Sequence, residues 1–134
     1  MNINKVVVIG SGTMGSGIAA HLCNANIPVV LLDLKTEIAE KAKERILKSR
    51  PPLLFEQSKI DSLKTGNISD DFENVSDADW IIEAVVERID IKHNIYDQIF
   101  KKRKKDSIVS SNTSTIPLKV LSQKLSYTDK KDFC

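Results

Sequence analysis

The residues with the clearest chemical signature form a GxGxxG pattern, Gly10-Ser11-Gly12-Thr13-Met14-Gly15. The pattern follows an apolar run and opens a segment of helical period, which is the context it needs to bind a dinucleotide. The first glycine permits a tight turn, the second leaves room for a pyrophosphate, and the third lets helix pack on strand. The helix amino terminus attracts the phosphates, so Thr13 and Met14 join the glycines as predicted cofactor-binding residues.

An acidic residue lies where such a cofactor would carry its adenosine ribose. Asp33 ends the second apolar run, 18 positions after Gly15. A carboxylate there accepts hydrogen bonds from both ribose hydroxyls and repels a 2′-phosphate. The spacing therefore predicts NAD rather than NADP, with Lys35 as the one nearby positive charge. The alternative is a glycine turn and a helix-capping aspartate with no ligand.

Two glutamates lie at the carboxyl end of a later strand that we expect beside the first one. A parallel sheet places its ligand at this topological switch point. Glu83, inside an apolar stretch, is either a functional acid or a buried, hydrogen-bonded structural one. Glu87, five residues before Lys92, is interpreted as a site group or as an anion at a helix start.

A hydroxyl-rich turn, Ser110-Ser111-Asn112-Thr113-Ser114-Thr115, follows the last predicted strand. One interpretation is a helix-capping loop, since serine and threonine are common there. The other is a set of substrate contacts, because loops at the carboxyl ends of parallel strands hold such groups.

The remaining polar residues do not indicate a nucleic-acid surface, a catalytic histidine or a metal site. The charge run 101–105 has no interleaved aromatic residues and is interpreted as a solvated helix end rather than a nucleic-acid surface. His21 and His93 fall on predicted helices away from strand ends, which favours surface or packing roles over general base catalysis. Cys23 is predicted to be a small buried residue. With only two cysteines and no Cys/His cluster, we expect no metal site and a reducing, cytoplasmic setting.

Apolar runs that alternate with helical segments must position these residues. This alternation predicts an α/β fold, a doubly wound parallel sheet of the Rossmann type with helices on both faces, incomplete at its carboxyl end. Strands are predicted over residues 6–9, 29–32, 72–75, 80–86 and 107–110, with 132–134 as the start of a sixth.

Apolar residues at helical spacing predict the helices between these strands. Residues 53–63 are assigned to a further helix and Gly66-Asn67 to a turn. The predicted buried stripes are Met14, Ile18, Leu22 and Ala25; Ile38, Ala42 and Ile46; Ile91, Ile95 and Ile99; and Leu118, Leu121 and Leu125.

Length and composition limit the classes of protein. The 134 residues, 41% hydrophobic and 28% charged, fit one compact domain. A net charge of +2 is too balanced to indicate nucleic acid or acidic membrane as a partner. The apolar run after the amino terminus is too short for a signal sequence or a spanning helix, so no membrane partner is expected.

Three motifs in combination resemble one known family. They are residues 8–19 around the glycines, Asp79-Trp80-Ile81-Ile82-Glu83-Ala84-Val85-Val86-Glu87, and Ser111-Asn112-Thr113-Ser114. The chain resembles the amino-terminal, NAD-binding region of the NAD-dependent 3-hydroxyacyl-CoA dehydrogenases of fatty-acid β-oxidation. The resemblance covers nearly the whole chain.

The resemblance assigns roles to further residues. It implies that Ala84, Glu87 and Lys92 line the cofactor on its nicotinamide side and that Asn112 lies by the nicotinamide. Ser114 would hydrogen-bond the oxygen at C3 of an acyl chain, and Ser49 falls near where the family's second helix contacts coenzyme A.

The family's catalytic histidine and its helical substrate and dimerisation domain have no counterpart in these 134 residues. We therefore expect residues 1–134 to be a partial NAD-binding domain, from an enzyme that converts (S)-3-hydroxyacyl-CoA to 3-oxoacyl-CoA. Alone, it should be inactive and should self-associate through an exposed edge of strand five. The alternatives are another NAD-dependent β-hydroxyacid dehydrogenase or a non-catalytic nucleotide-binding module.

Overall fold

Five strands form one parallel sheet in the computed structural model, which describes residues 2–134. The strands are β1 (Val6–Ile9), β2 (Val29–Asp33), β3 (Leu63–Asn67), β4 (Trp80–Glu83) and β5 (Ile108–Ser111). Their order across the sheet is β3-β2-β1-β4-β5, and every pairing is parallel. The predicted fold class is therefore confirmed, with β1 beside β4 as expected.

Helices cover both faces of the sheet. They are α1 (Thr13–Asn24), α2 (Thr36–Lys48), α3 (Ile68–Asp71), α4 (Ile89–Lys102), α5 (Leu118–Leu121) and α6 (Tyr127–Lys130), with 3₁₀ turns at Gln57–Ser62 and Phe72–Asp77. Alternate residues of β1 face opposite sides, so Val6 packs in a core with α1 and α2 while Val7 packs in a core with α4. No helix within residues 2–134 is long and apolar enough to cross a membrane.

The third strand lies earlier in the chain than predicted. The expected strand at 72–75 is a 3₁₀ turn, in which Phe72 and Val75 are both buried because residues three apart share one face. The actual strand, Leu63–Asn67, occupies the segment assigned to a helix end and a Gly66-Asn67 turn. It pairs only with β2, at the edge of the sheet, and therefore lacks the continuous apolar run by which the central strands were recognised.

Four residues predicted to face the core, Met14, Ala25, Ile38 and Leu118, are exposed instead. Met14 is 59% exposed, Ile38 39% and Leu118 49%. In α1 and α2 small residues such as Ala19 and Ala39 take the buried positions, because they allow the helices to approach the sheet closely. The fourth strand also ends at Glu83 rather than residue 86.

The chain end covers part of the edge of β5. The Val109 N–H donates to the Asp132 carbonyl at 2.8 Å, and the Cys134 N–H donates to the Val109 carbonyl at 2.9 Å. Phe133 thus forms a short parallel bridge with Val109 in place of a sixth strand. The expectation of a bare edge along β5 is wrong at these residues.

One member of the charge run helps to hold this chain end. The Arg103 side chain is only 8% exposed and donates to Asp129 at 3.2 Å and Asp132 at 2.9 Å. Lys101, by contrast, is 75% exposed. The interpretation of 101–105 as a uniformly solvated helix end is therefore wrong at Arg103, whose guanidinium also stacks on Phe100.

Candidate functional site

A cavity of about 860 Å³ opens at the carboxyl ends of the strands, on both sides of β1. This is the switch point where the connections from β1 and β4 leave opposite faces of the sheet. The cavity brings together residues from all the predicted motifs: Gly10, Gly12, Thr13, Met14, Asp33, Ala84, Glu87, Asn112 and Ser114.

Gly10 and Gly15 are required by packing within the protein. Gly10 has a φ of +105°, and a Cβ there would lie 2.4 Å from the Ala84 carbonyl oxygen. A Cβ on Gly15 would lie 1.8 Å from the Gly10 carbonyl oxygen. These two glycines let β4 and α1 approach the turn, as the spacing predicted for the first and third positions of the motif.

Gly12 differs from both, because nothing in the protein requires a glycine there. Its φ of −68° is ordinary for any residue, and a Cβ would meet no atom within 4 Å. Gly12 nevertheless lines the cavity. The space that its missing side chain leaves is therefore open to the cavity.

The amino terminus of α1 faces this cavity, and the N–H groups of its first turn have no acceptor within the helix. Ser16 N–H donates to the Gly12 carbonyl at 2.9 Å, so the N–H groups before it have no intrahelical acceptor. The first turn contains no acidic residue, and Gly12 supplies no capping side chain. Free amides together with the helix dipole suit a phosphate group.

Asp33 is hydrogen-bonded directly to the glycine turn. Its Oδ2 accepts from the Ser11 N–H at 2.8 Å and from the Ser11 hydroxyl at 2.5 Å, and its Oδ1 accepts from the Leu34 N–H at 2.7 Å. The carboxylate is half-buried at the end of β2. No sequence pattern predicts the Ser11 contact, which joins Asp33, the predicted ribose-binding residue, to the predicted phosphate-binding turn.

Glu83 is a completely buried acid, 0% exposed, whose two oxygens are fully used. Its Oε2 accepts from Lys92 Nζ at 2.6 Å and from the Val85 N–H at 2.9 Å. Its Oε1 accepts from the Tyr96 hydroxyl and from the Ser111 hydroxyl at 2.7 Å. Of the two interpretations of Glu83, the structure supports the structural one, since the carboxylate ties β4, α4 and β5 together.

Burial, and then the hydrogen bond to Glu83, raise the pKa of the Tyr96 phenol well above its usual range. Tyr96 therefore stays protonated and acts as a donor to the carboxylate. Tyr96 lies one helical turn after Lys92, and this i,i+4 spacing is the sequence signal that places both side chains on the same face of α4.

Lys92 joins Glu83 to a second acid, Glu87. The Lys92 ammonium, 0% exposed, lies 2.9 Å from Glu87 Oε1. Glu87 Oε2 accepts from the Thr113 hydroxyl at 2.8 Å and the Thr115 hydroxyl at 2.7 Å. Hydrogen bonds from Thr115, Lys92 and Thr113 lower the pKa of Glu87 to about 2, so this carboxyl is ionised at neutral pH.

The hydroxyl-rich turn divides its side chains between two tasks. Thr113 and Thr115 bind Glu87, while Asn112 and Ser114 line the cavity. The Asn112 N–H also donates to the Glu83 carbonyl at 2.8 Å. Both interpretations of the turn, as a structural loop and as a set of substrate contacts, therefore hold in part. Some of its side chains anchor the loop to the protein, and others face the cavity.

Some predicted or considered residues lie away from the cavity lining. Lys92 lies behind Glu87 rather than in the lining, so its predicted contact with a cofactor stays a prediction. His21 is exposed in the last turn of α1, and His93 Nε2 lies 3.0 Å from the Val120 carbonyl. Ser49, just after α2, donates its hydroxyl to the Pro51 carbonyl at 3.0 Å. Within residues 2–134, no three His, Cys, Asp or Glu side chains form a group that could hold a metal.

Taken together, the sheet order, the glycine turn and Asp33 define a dinucleotide-binding domain of the Rossmann class. The family model described as "3-hydroxyacyl-CoA dehydrogenase, NAD binding domain" matches residues 5–133, and the chain belongs to this family. The predicted family and the predicted cofactor, NAD, are thereby confirmed.

Named relatives and solved structures agree with this assignment. The chain is 41% identical over 125 residues to a probable 3-hydroxyacyl-CoA dehydrogenase of Deinococcus radiodurans, covering 88% of this chain and 36% of that protein. It is 44% identical over 138 residues to a putative fatty acid oxidation complex trifunctional enzyme of Rickettsia felis, covering 98% of this chain and 19% of that protein.

Among solved structures, 3-hydroxybutyryl-CoA dehydrogenase from Escherichia coli K12 matches with a TM-score of 0.85 at 27% identity, covering 99% of this chain and 29% of that one. The chain thus spans only about a fifth to about a third of the length of these relatives.

Proposed function

We propose that this chain is the NAD-binding portion of an oxidoreductase that converts (S)-3-hydroxyacyl-CoA to 3-oxoacyl-CoA. The observation that carries the proposal is Gly12, whose missing side chain serves no atom of the protein and leaves open space in the cavity. The family assignment supports the choice of reaction, and the names of the relatives support fatty-acid oxidation as its setting.

Different residues around the cavity would bind different parts of NAD. Gly12 and the free amides of the first turn of α1 would hold the pyrophosphate, and Asp33 would hold the adenosine ribose. Bound NAD would supply the two-electron acceptor for oxidation of a 3-hydroxyl group. Asn112 and Ser114 lie on the opposite side of β1, where polar side chains are available to a substrate.

Ser114 is the residue that we propose to contact the substrate oxygen at C3. Its side chain is exposed in the cavity lining and can donate a hydrogen bond to that oxygen. A serine hydroxyl cannot take the proton of the 3-hydroxyl at neutral pH without a base beside it. Neither His21 nor His93 lines the cavity. We therefore propose that the 134-residue chain binds NAD(H), and that oxidation of the acyl-CoA substrate needs a general base from outside these residues.

The binding proposal is tested by titrating the chain with NADH and following NADH fluorescence. Gly12→Val should weaken binding by at least about tenfold, because a branched side chain fills the space the pyrophosphate needs. Gly17→Val is the matched control. Gly17 lies within α1, the helix that Gly12 precedes, has no atom within 4 Å of its Cβ position and lies outside the cavity lining.

Equal NADH affinity in a folded Gly12→Val protein would show that the glycine turn is only a turn. Circular dichroism of both variants establishes folding. The reaction is tested separately, with acetoacetyl-CoA and small β-keto acids as substrates for NADH oxidation. Turnover by the 134-residue chain would contradict the proposal that it lacks a base, and a full-length gene product that prefers the small acids would contradict the assigned substrate class.

We also propose that the chain self-associates. Because residues 132–134 pair with β5, the support comes from the apolar mouth of the cavity, where Met14, Leu34 and Val86 are exposed. Apolar patches of this kind recruit other surfaces. Sedimentation should show a concentration-dependent dimer or aggregate, and a monomer at all concentrations would reject this proposal.

A further inference from the structure

The Ser11 residue inside the glycine turn has every polar group of its backbone and side chain in use. Its N–H and hydroxyl donate to Asp33 Oδ2, as described above. Its carbonyl oxygen accepts two hydrogen bonds, from the Ser16 hydroxyl at 2.9 Å and from Arg45 Nη2 at 2.9 Å. Ser16 belongs to α1, while Arg45 reaches the turn from α2.

The two donors to this carbonyl fix the direction of the neighbouring amide. In a trans peptide, the carbonyl and the next N–H point in opposite directions. The Ser11 carbonyl points toward the donors on α1 and α2, so the Gly12 N–H points away from them. Within residues 2–134 this N–H donates to no protein acceptor, and Gly12 lines the cavity.

Arg45 has no other strong partner that explains its position. Among the described residues it forms no ion pair with an aspartate or glutamate. Arg45 is an exposed residue overall, its guanidinium lies 3.5 Å from the Ser16 hydroxyl, and it lines the cavity together with Asp33. The short contact that it does make is with the backbone of the phosphate-binding turn.

We propose that Arg45 is a positioning residue for cofactor binding, which holds the Ser11–Gly12 peptide so that the Gly12 N–H faces the phosphates. The proposal rests on NAD binding at the glycine turn. This role differs from that of a cation that binds the cofactor directly, because Arg45 acts through the Ser11 backbone carbonyl. Ser16 acts on the same carbonyl from a buried position that a ligand in the cavity does not reach.

Arg45→Met and Lys41→Met form a charge-matched pair for testing this role. Lys41 lies one turn earlier on α2, is also exposed, and lies outside the cavity lining. Arg45→Met should weaken NADH binding about two- to tenfold, the range for loss of one hydrogen bond, and the ratio should persist in 0.5 M NaCl, roughly where long-range charge effects are screened. Lys41→Met should leave the affinity within about twofold under the same screening.

Hydrogen exchange without NADH provides a readout that a direct cofactor contact would not move. The Ser11 and Ser16 amides, which donate to Asp33 Oδ2 and to the Gly12 carbonyl, should exchange faster in Arg45→Met than in the wild-type chain or in Lys41→Met, because the turn is no longer held. Ser16→Ala should give losses that are not additive with those of Arg45→Met, since both donors share one carbonyl.

Several results would overturn the proposal. A loss of affinity that disappears at high salt would assign Arg45 to charge attraction, and a loss without faster amide exchange would assign it to direct contact with the cofactor. Unchanged affinity, or additive losses with Ser16→Ala, would also reject it. If the wild-type chain itself fails to bind NADH, the proposed function fails, and amide exchange still reports whether Arg45 holds the turn.

Discussion

The two sides of the cavity are built in opposite ways. On one side, the glycine turn and Asp33 form an open surface in which the ligand-facing groups are backbone amides and one half-buried carboxylate. On the other side, Glu83 and Lys92 form a completely buried ion pair, and Glu87, which lines the cavity, pairs with the same lysine. We call these the turn side and the buried-pair side.

This difference predicts which replacements change cofactor binding and which change the stability of the fold. On the turn side, Gly12 and the amides of the first turn of α1 have no protein partner to lose, so a replacement at Gly12 should change cofactor affinity while the fold persists. Asp33 also accepts hydrogen bonds from Ser11 and Leu34, so its replacement should change affinity and, to a smaller extent, stability. Groups on the buried-pair side hold β4, α4 and β5 together, and removal of one leaves an uncompensated polar group in the interior. The following three predictions test this division, in order of decreasing effect.

Lys92→Met should give the largest loss of stability. It leaves the Glu83 carboxylate buried without its counter-ion, which typically costs about 3–5 kcal/mol in the free energy of unfolding. Urea unfolding followed by circular dichroism measures the change. Lys101→Met is the control, because its pair with Asp97 is exposed and should contribute only about 0–1 kcal/mol.

A Lys92→Met protein as stable as Lys101→Met would show that the buried pair is not what joins the three elements. The double variant Glu83→Leu/Lys92→Met sharpens the test. It removes both charges and should recover part of the stability lost in Lys92→Met, since no unpaired charge remains.

Asp33→Ala should act mainly on cofactor affinity, with a smaller loss of stability than Lys92→Met because the Ser11 N–H and hydroxyl lose their acceptor. It should weaken NADH binding by about 1.5–3 kcal/mol, the range for hydrogen bonds to a charged group, and should reduce the preference for NADH over NADPH. Fluorescence titration with both cofactors measures this change, and the exposed Asp61→Ala provides the control. Equal affinity of the wild-type chain for NADPH would be inconsistent with Asp33 as the ribose ligand.

The smallest effect concerns Glu87, where the two sides meet. Its pKa is lowered from 4.5 to about 2, so its charge stabilises the fold fully above pH 4.5, and this stabilisation is lost as the pH falls toward 2. The difference in unfolding free energy between wild type and Glu87→Gln should be constant near neutral pH and shrink over that acid range. A difference that grows on acidification would mean that Glu87 is not held by its cationic and hydroxyl donors.

The turn side and the central strands were predictable because their signals are local. The order of strand, three glycines, helix and acid is contiguous or nearly so in the chain, and each glycine has its own steric reason. Strands β1, β2 and β4 are buried on both faces and therefore appear as apolar runs. These signals were sufficient for the fold class and NAD, whereas the family assignment rested on the resemblance of three motifs in combination.

The tertiary structure alone decided what depends on neighbours distant in sequence. The predicted position of the third strand, 72–75, is wrong because an edge strand that pairs on one side does not require an apolar run. The prediction that Met14 and Ile38 face the core is wrong because helical spacing shows that residues share a face, but not whether that face meets the sheet or a cavity.

The role of Glu83 shows this limit most directly. Its apolar setting is compatible with a catalytic acid or a structural one, and its sequence neighbours do not distinguish the two. Only the fold brings Lys92, Tyr96 and Ser111 to its oxygens, from elements up to 28 residues away. A buried charge is stable only where enough donors converge on it, and the chain's topology determines that convergence.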